Sequence, residues 1–174
     1  MGEEEERLFT YQEIFDKFPD VANKVYAKPA ATAYRIVHYP ATIEDFLPTA
    51  VIPNDDGVPP VDLAKYDDDT PEEVQKELVK KYGISHYNKP EKLTVRYKKI
   101  VKGAERSGGA EAGETIKNRL GTFYVKVDYD KNDGKMSKQG NDGHENIALY
   151  RDVNPLDRID MEYGYKEIKF DEDV

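Results

Sequence analysis

The chain has 174 residues, with 26 Lys and Arg against 35 Asp and Glu for a net charge of −9, and it contains no cysteine. That length suits one domain with a real core, and the missing cysteine excludes disulfides and thiolate metal sites. The acidic balance disfavours a duplex nucleic-acid binder, whose phosphates need a basic footprint, and no apolar run reaches the ~20 residues of a membrane span.

The opening Met-Gly-Glu-Glu-Glu-Glu is the reverse of a signal peptide's basic and then apolar order, so a cytoplasmic protein is expected. Residues 1–9 read as an acidic disordered tail and residues 10–170 as a single domain. Thr10 with Glu13 matches a capping box, and Ile14, Phe15 and Phe18 fall at helical spacing, so a helix is expected up to Phe18. Val21 to Tyr26 adds a further helical turn. Residues 33–38, rich in β-formers, read as an early strand that is central because Ile36 and Val37 are consecutive apolar residues. Thr42 and Asp45 fit a cap over one turn of helix. The stretch 53–70 holds six Asp and three prolines, and reads as a loop.

Thr70-Pro71-Glu72-Glu73 gives a cap, a first-turn proline and two acids, which predicts a helix over 71–82. Ile84 to Tyr87 reads as a brief strand. Asn88 with Glu91 predicts the start of a helix over 89–102, with Leu93, Tyr97, Ile100 and Val101 facing inward. Residues 103–113 contain four glycines and three alanines and read as a flexible loop that could serve as a lid. In 121–129, Phe123, Val125 and Val127 alternate with polar residues, and Ile147 and Leu149 repeat the pattern in 145–152. The Asn132-Asp133-Gly134 turn between them predicts that these two segments pair as a hairpin. Ile159, Met161, Tyr163 and Tyr165 alternate again, predicting a last strand over 159–169 with a bulge near Gly164. The fold class expected is α+β, a mainly antiparallel sheet with two or three packed helices.

Candidate sites are few. Asp128, Asp130, Asn132 and Asp133 resemble a calcium loop, but counted from Asp128 the glycine stands seventh and position twelve is Gln139, so the register of an EF-hand fails. His38, His86 and His144 show no zinc-ligand spacing. His144, after Asp142-Gly143, reads either as a proton-transfer histidine at the sheet end or as a loop histidine bonded near the turn, and the loop reading is preferred. Residues 54–77 carry a balance of −7 and residues 78–106 a balance of +7. The basic set Lys92, Arg96, Lys98, Lys99 and Lys102, or else the acidic loop 54–73, is therefore expected to form a docking face.

Tyr34-Arg35-Ile36-Val37-His38, then Asp45-Phe46-Leu47-Pro48, then Gly83-Ile84-Ser85-His86-Tyr87, and the late Gly143-His144 together resemble a group of small bacterial proteins that brings no established activity. The layout is also similar to that of ADP-ribosyltransferase-like folds. That similarity implies that Arg35 or His38 holds the ribose and phosphate of NAD, that Ser85 and Tyr87 line the nicotinamide pocket, and that His144 or Glu145 acts at the anomeric carbon. Without a phosphate loop, nucleophile elbow or paired-carboxylate signature, the first expectation is a non-catalytic, regulatory module that binds another protein and needs no cofactor. An NAD-using transferase-like enzyme is the alternative, and a nucleic-acid-associated protein using the basic face 80–106 is the second.

Overall fold

A computed structural model describes residues 15–46, 70–81, 83–138, 141–149 and 153–171. The acidic tail, the Thr10 start of the first expected helix and nearly all of the 53–70 loop lie outside these residues. The fold is α+β. In chain order it runs α1 (Pro19–Val25), β1 (Lys28–Pro29), β2 (Thr32–Val37), a 3-10 turn (Ile43–Phe46), α2 (Glu72–Lys81), β3 (Ile84–Tyr87) and α3 (Pro90–Leu120). Then follow β4 (Phe123–Asp128), β5 (Gly134–Lys138), β6 (His144–Leu149), a second 3-10 turn (Pro155–Arg158) and β7 (Lys166–Glu167). All seven strands form one sheet of order β1-β5-β6-β3-β2-β4-β7, and every pairing is antiparallel.

Strand alternation divides this sheet into two chemically different faces. Ala33 and Val37 of β2, Val125 and Val127 of β4, Met136 of β5 and Ile147 of β6 share one buried cluster. With β6 and β2 contributing between β5 and β4, this core spans the sheet. The other face carries Tyr34, Ile36, Tyr87 and Tyr124, which pack beneath Leu93, Tyr97 and Val101 of α3. At roughly 1.5–3 kcal/mol for each fully buried large apolar side chain, these two layers hold the sheet and helix together.

α3 corrects the expected loop at 103–113. Those residues are helical except at Gly109, whose φ of 78° and ψ of −175° break the helix into two arms. Ala104, Ala110, Ala112 and Glu105, Glu111 and Glu114 outweigh the glycines in helix propensity, and only Gly109 takes a backbone that side chains rarely tolerate. The arms fold back on each other. Tyr97 Oη donates to Gly121 O at 2.5 Å, although residues 24 apart in a straight helix would stand ~36 Å apart. Ile116 and Leu120 of the second arm thereby join the cluster of the first. At the start of α3 the cap position is Lys89, with no side-chain cap, so Asn88 does not cap it; the Asn88 amide bonds Gly143 O instead, at 2.9 Å.

Two strand expectations are also corrected. Segments 121–129 and 145–152 do not pair as a hairpin: β4 pairs with β2 and β7, whereas β6 pairs with β3 and β5. The turn after β4 leads into β5, which has only Met136 as an apolar signal and so went unseen. Asp133 sets that turn, with both carboxylate oxygens held by Arg158 at 2.9 and 3.2 Å. The expected strand over 159–169 is reduced to a single bridge from Ile159 to Val127 and to two-residue β7. Asp160 Oδ1 accepts from the amides of Glu162 and Tyr163, and Gly164 has a φ of 77°, so the chain turns where the alternation predicts extension.

Candidate functional site

The sheet has a seam at its centre. β2 pairs with β4 along all six of its residues, yet it meets β3 at only one register pair, Tyr34 with Tyr87. Beyond that pair the ladder bonds are replaced by Arg35, whose Nη1 donates to Ser85 O at 2.6 Å and whose Nε donates to Asp45 O at 2.9 Å. Over the seam lies a cavity of about 760 Å³, within the range of small-molecule sites. Its floor is Ile36, Ser85, Tyr87 and His144, its roof is Arg96, Tyr97 and Ile100 from one arm of α3 with Arg119 and Leu120 from the other, and its walls are Thr42, Glu44, Asp45 and Asp142.

Antiparallel register explains the floor. Ser85 lies opposite Asn146 and Tyr87 opposite His144, so Ser85, Tyr87 and His144 share a face of the sheet. Ser85 Oγ and His144 Nε2 are 2.6 Å apart. Burial, the largest influence, holds the His144 imidazole below its ordinary pKa, with Arg96 and Arg35 adding to the effect against Asp142 and Glu145. The ring is thus neutral at neutral pH and can accept a proton. The Tyr87 ring stands 5.2 Å from the His144 ring. Burial also raises the Tyr87 phenol, against the pull of Arg96, so it remains a hydrogen-bond donor.

The remaining charged groups are Arg35, His38, Arg96 and Arg119 against Glu44, Asp45 and Asp142. His38 Nδ1 faces Asp45 Oδ1 at 2.5 Å and its Nε2 faces Asn118 O at 3.0 Å. Both partners only accept, so both ring nitrogens carry protons. The Asn118 carbonyl and then Asp45 raise the His38 pKa accordingly. Burial lowers the Arg35 pKa, but a guanidinium stays charged in a protein. Among the described residues, none of Arg35, Arg96 and Arg119 has an ion-pair partner. Three guanidinium groups outside salt-bridge distance of the described carboxylates, with Glu44, Asp45 and Asp142 on the cavity wall, can grip an anion that enters between them.

Five residues of the transferase-like expectation, Arg35, His38, Ser85, Tyr87 and His144, therefore come together around one cavity. Glu145 does not. It pairs with His86 on the opposite face of the sheet, is buried, and bonds Lys28 Nζ at 2.9 Å. The loop reading of His144 is also corrected, since it opens β6 and bonds a side chain on β3. His86 belongs to the core, between Ile84 O and Tyr129 Oη. The basic set on α3 separates: Lys92, Lys99 and Lys102 are exposed, Arg96 turns to the cavity and Lys98 is buried at 6% exposure. Lys98 thus leaves the expected docking face. Sequence reasoning did not find Arg119, Glu44 or Asp142, and it read Asp45 as a cap alone. Asp45 does cap Thr42 N at 2.8 Å, but it also fixes His38. Arg119 gave no signal, because only the reversal at Gly109 brings it over the sheet.

No protein-family model, curated protein or solved structure matches the chain. Among the described residues, no helix is long and apolar enough to cross a membrane, and no cluster of His, Cys, Asp and Glu suited to a metal ion is found.

Proposed function

We propose that this protein binds a phosphate-bearing nucleotide of the NAD class in the cavity over the β2/β3 seam and acts as an ADP-ribosyltransferase-like enzyme. The observation that carries this reading is the convergence of Arg35, Arg96 and Arg119, without ion-pair partners among the described residues, on a cavity whose floor holds a Ser–His hydrogen bond. Guanidinium groups grip phosphate oxygens in paired geometry, the aromatic rings of Tyr87 and His144 offer a surface for a planar base, and the neutral His144 can take up a proton. Glu145 is excluded from the chemistry by its place on the far face of the sheet.

Thermal unfolding with and without millimolar NAD tests the reading. At 100 times its dissociation constant a ligand adds ~2.7 kcal/mol, or roughly 5–10 °C in midpoint for a chain of this size. Arg96→Ala and Arg119→Ala, both at exposed positions, should each fold normally and lose most of the shift. No shift in the parent protein at millimolar NAD would overturn the assignment.

Exposed Lys92, Lys99 and Lys102 on one helix favour a second reading, a surface that docks an acidic protein. Exchanging the three for Glu should abolish capture of such a partner, and undiminished capture would rule that surface out.

A further inference from the structure

We infer that Ser85 is a nucleophile activated by His144, and that it takes the ribosyl carbon of the bound nucleotide into a covalent bond. The inference rests on the NAD-class reading above and adds a reaction to it. Three observations carry it. Ser85 Oγ lies 2.6 Å from His144 Nε2, within the span that lets a base remove a hydroxyl proton. Both groups line the cavity rather than a closed core. The Ser85 main chain is fixed by the Arg35 Nη1 bond to its carbonyl at 2.6 Å, and that guanidinium also lines the cavity.

The chemistry suits a nicotinamide-bearing ribose better than an ordinary glycoside. An alkoxide leaving group needs a proton, and a glycosidase supplies it with a second carboxyl group. A pyridinium leaves as neutral nicotinamide and needs none, so one base suffices. In the step, the Ser85 Oγ–C1 bond of the ribose forms as the C1–N bond breaks, the bonding pair departs with the nicotinamide nitrogen, and the hydroxyl proton passes to His144 Nε2. His144 is poised for this because burial keeps its ring neutral. In transfer from Ser85 to water or to an acceptor hydroxyl, His144, now an imidazolium, returns its proton to Ser85 Oγ as the Oγ–C1 bond breaks and the new C1–O bond forms, and the proton of the attacking hydroxyl leaves to solvent.

The test is a single-turnover experiment on the full chain in excess over NAD, quenched in acid, with intact-mass and peptide analysis and with chromatography of nicotinamide. The expected result is one nicotinamide released per ADP-ribosyl adduct, with the adduct on the peptide containing Ser85. Ser85→Ala removes one oxygen from a side chain whose bonding partner is His144, so it should fold, keep the thermal shift with NAD, and lose both adduct and release. His144→Gln should bind NAD more weakly, having lost the ring surface, and at saturating NAD should slow release by at least 100-fold, the ordinary scale of general-base catalysis. Binding of NAD with nicotinamide release undiminished in Ser85→Ala, or with no adduct in the quenched parent protein, would overturn the covalent step and leave the binding site standing. Absence of any NAD-dependent thermal shift would remove both.

Discussion

His86 is wholly buried, and its ring is fixed in the neutral form because Nδ1 bonds Ile84 O at 3.0 Å while Nε2 faces Tyr129 Oη at 3.1 Å. Burial, with Arg35 second, pushes its pKa down to about 3. The unfolded chain takes up that proton near pH ~6.5. The folded pKa is the lower of the two, so stability is fully present above pH ~6.5 and is lost as pH falls toward the folded value. At pH ~4 the loss is on the order of 3 kcal/mol at 1.36 kcal/mol per unit, and His144 acts in the same direction. Urea midpoints between pH 4 and 7 should fall steeply for the parent protein and less for His86→Gln, which keeps a donor and an acceptor without titrating; equal slopes would contradict this. Arg35 obeys a different constraint. Its guanidinium satisfies two main-chain carbonyls, Ser85 O and Asp45 O, so Arg35→Ala strips both at about 1–3 kcal/mol each. Urea unfolding should show that loss without any ligand, and a stability near the parent's would mean that water replaces the guanidinium. Arg35, Ser85 and His144 could each be picked out of the sequence by residue type, but the seam that joins them could not. That seam depends on how little β2 pairs with β3, a property of two strands 50 residues apart.

The kinked helix shows what a local sequence does and does not disclose. A run of four glycines in eleven residues reads as a loop when each is counted as a breaker, yet the alanines and glutamates between them keep 103–108 and 110–113 helical. Propensity summed over the window favoured helix, and only the single reversal at Gly109 had no readable position. The same limit applied to β4. Its alternation identified it as a strand, and it is one, but alternation carries no information about the neighbour, and the neighbour is β2 rather than β6. Paired substitutions separate these roles. Gly103 lies in a helix interior with no atom within 4 Å of an added Cβ, so Gly103→Ala should raise stability by roughly 0.5–1 kcal/mol. Gly109 holds a φ of 78° with ψ near 180°, so Gly109→Ala should cost about 1–3 kcal/mol. Because the reversal sets Arg119 of the second arm opposite Arg96 of the first, the Gly109 variant should also bind NAD more weakly. Equal stabilities of the two variants in urea would show that the arms do not depend on the turn.

Across the whole molecule the three histidines divide the pH range between them. His86 and His144 are neutral in the folded state and weaken it in acid. His38 is the opposite case: bound by the Asn118 carbonyl and Asp45, it prefers to be charged when folded, and its pKa is raised. Its contribution is therefore complete below the unfolded pKa of ~6.5 and disappears as pH rises through the folded value. The contribution is modest, because 45% of the His38 side chain is exposed and solvent screens the pair. What it joins is consequential, since His38 directly follows β2, Asp45 sits in the 3-10 turn and Asn118 lies in the returning arm of α3. One protonated ring thus ties together three of the elements that bound the cavity. Net charge works with it, because a chain at −9 repels itself more as its remaining cations titrate. Stability should accordingly peak near neutral pH and fall on both sides. His38→Ala should lower the urea midpoint at pH 6, with the gap from the parent protein closing by pH 9. A gap that persisted unchanged would mean that the His38 contacts are held by packing rather than by charge, and that the cavity wall does not loosen with rising pH.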